Sequence, residues 1–179
     1  GRPAVAPAWL QAGQGDDHPV TCVSYNDATA CAAWLRKTAR RDFRLPTERE
    51  WEYAARAGTS TLFHTGDTLP APFLKNARNT DFRSPSDIVP LMVGRTPANP
   101  WGLFDVHGNV SEIVQDAYGP YTLPVRPGDG LRAGGQDSIR IHRGGGFADP
   151  ASRLRSASRD TMSSESEMLL GLRAAREIL

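Results

Sequence analysis

Residues 99–112 read NPWGLFDVHGNVSE, and this stretch constrains the fold more than any other part of the chain. It opens with a turn signal, Asn99 followed by Pro100, and then places apolar and aromatic side chains between glycines and oxygen-bearing side chains. Gly102 and Gly108 allow the backbone to turn where a side chain would clash. The stretch therefore predicts a glycine-bent segment that apolar side chains attach to the core.

The same stretch carries a candidate calcium site. Asp105 and Glu112 supply two carboxylates, and the carbonyls of Gly108 and Val110 lie between them in the sequence. Calcium accepts about six to eight oxygen ligands in a tolerant geometry, which such a bend can supply. Because the spacing is not that of an EF-hand, the alternative is a solvated loop whose carboxylates cap backbone amides.

Two helices are predicted from their start signals. Ser24 and Asp27 stand in capping-box spacing, and so do Thr47 and Glu50. After each start the apolar residues recur at helical spacing, and Gly58 ends the second helix. The inner faces comprise Ala28, Cys31, Ala32 and Leu35 in the first helix and Trp51, Ala54 and Ala55 in the second. We interpret Glu48, Glu50 and Glu52 as capping and exposed helix charges rather than as acid–base catalysts.

Short strands and long turn-rich segments complete the pattern. We expect strands at residues 18–23, 90–94, 138–142 and 171–176, whereas residues 59–98 and 119–138 contain many turn signals. The expected fold class is α+β, irregular and loop-rich, with two helices and short antiparallel strands.

Composition excludes several function classes. A length of 179 residues predicts one domain, or one domain with a tail, and a net charge of +1 argues against general nucleic-acid or membrane binding. No apolar run is long enough to cross a bilayer, and the N-terminus has no apolar signal-peptide core, which slightly favours the cytoplasm. Cys22 and Cys31 are expected to be buried thiols that act as small apolar side chains rather than a disulfide.

Four motifs, in this order, resemble the formylglycine-generating-enzyme (sulfatase-modifying factor) domain family. They are HPVTCVSYND at 18–27, RLPTEREWEYAARAG at 44–58, the stretch at 99–112, and a C-terminal set with RGGGF at 143–147, RSASR at 155–159 and GLRAAR at 171–176. The resemblance implies a C-type-lectin-like fold over residues 18–179, with residues 1–17 as an extended lead-in or linker. The family carries a further strand-rich N-terminal portion, so we expect the chain to be part of a longer protein.

The resemblance also implies two calcium sites. The first is the set already identified, Asp105, Gly108, Val110 and Glu112. The second would use Asn76 with the carbonyl of Ala77, and Asp87 with the carbonyl of Val89. The segment between these pairs differs in length from that of the family.

Catalysis is where this chain departs from the family. The enzymes that oxidise a substrate cysteine to formylglycine bind copper through two cysteines, at the positions held here by Asp149 and Leu154. A Cu(I) site requires thiolates, so the resemblance implies no copper, no catalytic residue and no formylglycine production. The four histidines include no His-x-x-x-His pair, so an iron site like that of the family's sulfoxide synthases is not supported either. The tyrosine-directed oxidases of siderophore maturation form a third branch of the family. No residue of this chain indicates whether it belongs to that branch.

The segment at residues 147–168 lies, in the family, on the exposed face that is used for ligands. Its candidate ligand-binding residues are Asp149, Ser152, Arg153, Arg155, Ser158 and Arg159. Some members are variable display proteins of diversity-generating retroelements, and others are sensor-like modules on bacterial kinases. The resemblance therefore implies an inactive, calcium-stabilised module that binds a protein or small molecule. The alternatives are an ordinary surface loop and an oxidoreductase of a non-copper branch whose metal ligands lie on another domain.

Overall fold

The computed structural model describes residues 15–74, 90–132, 134–163 and 170–176. Its helices are α1 (Tyr25–Ala39), α2 (Glu48–Arg56) and the short α3 (Ala71–Leu74), and a 3-10 turn spans Ala151–Arg153. Its strands are β1 (Phe43–Arg44), β2 (Ser111–Tyr118), β3 (Gln136–Arg143), β4 (Arg159–Ser163), β5 (Leu170–Leu172) and β6 (Ala175–Arg176). The expected α+β class, rich in loops, is confirmed.

Four strands form the main sheet in the order β4-β3-β2-β5. The pairs β4–β3 and β3–β2 are antiparallel, with Glu112 opposite Arg143 and His142 opposite Asp160. The β2–β5 pair is parallel, with Ser111 opposite Leu170, whereas only antiparallel pairing was expected. A separate antiparallel pair joins β1 to β6, so the expected closing strand at 171–176 is divided between two sheets.

Both helix starts are confirmed. Ser24 and Thr47 each cap their helix, and Asp27 and Glu50 complete the two capping boxes. The predicted end of α2 is also confirmed, because the helix stops at Arg56 and Gly58 follows the C-cap residue with φ of 89°. Ala57, the C-cap residue, is left-handed as well, with φ of 46°.

The core covers both faces of β2. Successive side chains of a strand point to opposite faces, and Ile113 packs with Val23 and Leu170 while Val114 packs with Trp51. The first cluster links β2 to α1, and the second links it to α2. Burial on both faces explains why residues 111–117 show no alternation of polar and apolar side chains.

Two expected strands are not formed. In residues 18–23 the backbone of Cys22 is left-handed, with φ of 60°, which interrupts an extended strand. In residues 90–94 the N–H of Leu91 donates to the side chain of Asn109 instead of a neighbouring strand. In residues 90–94 side chains and a loop therefore supply the hydrogen-bond partners, whereas in residues 18–23 a single bond from Val23 reaches β5, at Leu170.

The two cysteines are free thiols rather than a disulfide, as expected, but they are partly exposed, so the expectation that they are buried was wrong. Within the described part of the chain, no helix combines the length and apolar character needed to cross a bilayer.

Candidate functional site

Asp105 lies in the bend of the 99–112 stretch, where it is buried and has a φ of 56°. Its carboxylate accepts hydrogen bonds from the N–H groups of Gly94 and Thr96 and from the Thr96 hydroxyl, the last at 2.7 Å. Thr96 Oγ1 in turn accepts from the N–H of Asp105. These reciprocal bonds stabilise a left-handed conformation that a non-glycine residue rarely adopts.

Glu112 lies at the start of β2 and is also buried. Trp51 Nε1 donates to one carboxylate oxygen at 2.7 Å, and the Arg173 guanidinium donates to both oxygens. The Glu112 carboxylate raises the pKa of Arg173 above its usual value, against an opposing effect of burial. Arg173 therefore belongs to the structure of this motif.

The four residues of the first predicted calcium site line one cavity of about 530 Å³, which we call the Glu112 cavity. They are Asp105, Gly108, Val110 and Glu112, and Arg173 lines the same cavity. Carboxylate and carbonyl oxygens are the donor types that calcium takes, so the residues match the ion by donor type, while both carboxylates already accept hydrogen bonds within the protein. An ion here would share the Glu112 carboxylate with the Arg173 guanidinium. The four residues of the second predicted site, Asn76, Ala77, Asp87 and Val89, lie outside the described residues.

The six predicted ligand-binding residues line a second cavity of about 340 Å³, which we call the Asp149 cavity. Its wall runs from the end of β3, through the 3-10 turn, to the start of β4. The lining consists of Asp149, Ser152, Arg153, Arg155, Ser158 and Arg159 together with His142, Arg143, Gly144, Gly145 and Asp160. The structure thus places all six candidate residues around one cavity, although the hydrophobic pattern of their segment predicts neither a helix nor a strand.

The two positions that hold copper-binding cysteines in the active enzymes have different surroundings here. Asp149 lines the cavity, and its carboxylate accepts the Gly146 N–H at 2.8 Å. Leu154 is fully buried and packs against Phe63 beneath the cavity wall. A Cβ on Gly145 would lie 2.8 Å from the Leu154 side chain, so a glycine at that position allows Leu154 to fit.

Glu48 connects the Asp149 cavity to helix α2. Its carboxylate binds Arg143 at 3.0 Å and Arg159 at 2.8 Å, and only 4% of the residue is exposed. The interpretation of Glu48 as an exposed helix charge was therefore wrong. A sequence signal was present, because Glu48 precedes Trp51 and Ala55 by three and seven residues and so lies on their buried face.

His107 was not identified from the sequence, although it is fully buried. Its Nδ1 is 2.8 Å from the carbonyl oxygen of Leu154, and its Nε2 accepts the N–H of His64. The two imidazoles stack with their centroids 4.9 Å apart. Burial lowers the pKa of His107 to about 4, so the ring is neutral and acts as a buried link between two loops.

The chain matches a family model described as a sulfatase-modifying factor enzyme 1-like domain over residues 8–178. It is 40% identical to the formylglycine-generating enzyme of Mycobacterium tuberculosis over 111 residues, which cover 58% of this chain and 35% of the enzyme. It is 34% identical to the serine/threonine-protein kinase pkn1 of Chlamydia caviae over 145 residues, 79% of this chain and 21% of the kinase. It therefore spans about a third or less of the length of these two relatives.

Three further similarities bear on function. An inactive C-alpha-formylglycine-generating enzyme 2 of Mus musculus is 33% identical over 139 residues, which cover 74% of this chain and 39% of that protein. The structure of PvdO from Pseudomonas aeruginosa superposes with a TM-score of 0.76 at 29% identity, covering 93% of this chain and 64% of PvdO. Treponema denticola variable protein 1 superposes with a TM-score of 0.71 at 25% identity, covering 99% of this chain and 76% of that protein.

Proposed function

The chain belongs to the family of sulfatase-modifying factor enzyme 1-like domains, and from this premise we propose that it is a catalytically inactive, calcium-stabilised binding module. Its ligand, a protein or a small molecule, would occupy the Asp149 cavity. The observation that carries the proposal is the pair Asp149 and Leu154 at the positions of the copper-binding thiols. All six candidate ligand residues surround the same cavity.

The side chains at positions 149 and 154 are unsuited to copper. Cu(I) is bound by soft sulfur ligands, whereas Asp149 offers a hard carboxylate that already accepts the Gly146 N–H, and Leu154 offers no donor in its side chain. Cys22 and Cys31 are not among the residues that line the Asp149 cavity. The similarity to a protein named as an inactive member of the family supports the same conclusion.

Exposed polar groups line the Asp149 cavity beside arginines that are held in place. Arg143 and Arg159 are held by the buried Glu48 carboxylate, while Ser152, Arg153 and Arg155 are exposed on the same cavity. Short polar side chains on a fixed frame can contact a ligand without disturbing the core. The similarities to a variable protein and to part of a kinase support a display or sensor role within a larger protein.

Calcium is the second part of the proposal. Asp105, Gly108, Val110 and Glu112 would supply oxygen ligands from one side of the Glu112 cavity, and the ion would stabilise the bend between strand β2 and the preceding loop. The proposed ion would stabilise the fold and would take no part in catalysis.

Copper titration of the purified chain tests the inactivity. We expect no stoichiometric Cu(I) binding in competition with a chromogenic chelator, and the formylglycine-generating enzyme of Mycobacterium tuberculosis serves as the positive control. One tightly bound copper ion per chain would overturn the proposal.

A further inference from the structure

Most charges on the Asp149 cavity are already paired within the protein. Arg143 binds Glu48 and Glu52, and Arg159 binds Glu48. Arg153 forms an ion pair with Asp160, both of which line the cavity. Each of these three arginines therefore already has a carboxylate partner within the protein, and Glu48 and Glu52 also contact Arg132 and Arg56.

Two charges of opposite sign are left over. Arg155 is exposed, and its Nε donates to the backbone carbonyl of Ser152 at 2.8 Å. The partly exposed Asp149 carboxylate accepts the Gly146 N–H, and no other described residue donates to it. Within the described residues neither side chain has a charged partner, and they do not pair with each other although both line the same cavity.

We propose that the Asp149 cavity recognises a ligand carrying both an ammonium and a carboxylate group, with the ammonium at Asp149 and the carboxylate at Arg155. The chemical class is a zwitterionic amino acid or a peptide in which lysine and glutamate are neighbours. The inference rests on the proposed function, since it names the ligand class of the same cavity.

The chemistry and size of the cavity agree with this class. A volume of about 340 Å³ lies at the lower end of the range for small-molecule sites, roughly 300–1,000 Å³. Hydrogen bonds between charged partners are about twice as strong as neutral ones, and each free charge would gain one such bond from a zwitterion. A ligand with a single charge would leave the opposite charge of the cavity without a partner.

Four labelled tetrapeptides with blocked termini test the charge preference on the full 179-residue chain by fluorescence polarisation. They contain alternating lysine and glutamate, glutamate alone, lysine alone, or glutamine alone. We expect the alternating peptide to bind most tightly and its affinity to fall as salt is raised, because ions screen exposed charges. Displacement by free alanine identifies an amino acid as the ligand source, whereas a lack of displacement identifies a peptide segment.

Two charge-removing variants test the assignment of the groups. Asp149→Asn keeps a side-chain oxygen that can accept the Gly146 N–H, and Arg155→Gln removes the charge while an amide N–H remains near the position of the arginine Nε. Each should weaken binding of the alternating peptide by about tenfold, as expected for the loss of one charged hydrogen bond. Asp137→Asn and Arg41→Gln, which change exposed residues outside the lining of the cavity, are the matched controls and should bind as the unmodified chain does.

Equal affinity for the glutamine peptide, or unchanged affinity in either variant, would overturn the zwitterion inference. If the glutamine peptide binds as well as the others, the protein is still a binding module, so that result does not contradict the proposed function. Failure of all four peptides and of alanine to bind would also overturn the inference. The proposed inactivity fails separately, through copper binding, whatever the peptide affinities are.

Discussion

Arg143 and Glu48 form a buried ion pair between residues 95 positions apart in the chain, with Nη1 3.0 Å from Oε1. The Arg143 side chain is fully buried, and its second terminal nitrogen contacts Glu52 of the same helix. The pair joins the end of β3 to the start of α2. Because Glu48 also binds Arg159, one carboxylate fixes two of the arginines that line the Asp149 cavity.

Replacement of Glu48 should therefore destabilise the fold strongly. Glu48→Gln leaves Arg143 and Arg159 without their shared negative charge, and breaking a buried pair in this way costs about 3–5 kcal/mol. Urea unfolding monitored by circular dichroism measures the loss. Glu50→Gln, which removes a partly exposed pair with Arg44, should cost only about 0–1 kcal/mol. Equal losses in the two variants would refute the structural role of Glu48.

Asn99 provides a second test of a buried polar contact. Its Nδ2 donates to the carbonyls of Ala54 and Ala55 at the end of α2, and its Oδ1 accepts the N–H groups of Trp101 and Leu103. Asn99→Ala removes all four bonds and should lower the free energy of unfolding by at least about 1–3 kcal/mol. Asn26→Ala on the exposed face of α1 is the control. A melting temperature like that of the control would contradict the contact.

Acid should destabilise the protein through His107. Burial holds the pKa of His107 at about 4 in the folded state, against 6.5 as its usual value. The unfolded chain therefore binds the proton first, so stability is lost as pH falls from about 6.5 to 4, by roughly 3 kcal/mol in total. Above pH 6.5 the ring is neutral in both states and contributes no pH dependence.

A His107→Gln variant isolates this effect from the titration of the carboxylates. The difference in unfolding free energy between the variant and the unmodified chain should shrink as the pH is lowered from 7 to 4.5. A difference that is constant over this range would show that His107 is not held neutral. Urea titrations at four pH values are sufficient.

Calcium should raise the melting temperature if the Glu112 cavity binds the ion. Saturation at about 100 times the dissociation constant corresponds to roughly 2.7 kcal/mol of added stability, because the ion binds only the folded state. The double substitution of Asp105→Ala and Glu112→Ala should lower the melting temperature and abolish its response to calcium. A melting temperature that does not respond to chelator in the unmodified chain would contradict the calcium proposal.

The Arg173→Ala variant tests more specifically whether calcium binds the Glu112 carboxylate. Arg173 donates to both oxygens of Glu112, so it competes with calcium for that carboxylate. Its removal should destabilise the calcium-free protein and enlarge the calcium-induced rise in melting temperature. A smaller calcium response in this variant would indicate that the guanidinium and the ion do not compete.

The helix starts could be predicted because they depend on residues close together in the sequence. The strand pairing could not be predicted because it depends on residues far apart in the sequence. Ser24 and Thr47 mark the helix starts in the sequence, because their capping partners lie only three residues away. The parallel β2–β5 pair depends on contacts between residues some 59 positions apart, such as Ser111 and Leu170, which no local pattern encodes. The failed strand at 18–23 has the same cause, since Val23 donates to Leu170 from outside any strand.

The sequence indicated which residues could lie together in a candidate site, but not how their charges pair. Motif order placed the ligand residues in one segment, and all six line one cavity. Which charges neutralise one another depends on side-chain geometry, as the contacts of Glu48 with Arg143 and Arg159 illustrate. Asp149 and Arg155 could therefore be distinguished from the paired charges only after the fold was known.

Mass spectrometry of a cysteine-containing substrate peptide, incubated with the purified chain, copper and oxygen, tests the central claim most directly. The account predicts that the cysteine stays unmodified, while the formylglycine-generating enzyme of Mycobacterium tuberculosis converts it to formylglycine under the same conditions. Conversion above the level seen without protein would contradict the assignment of this chain as an inactive binding module.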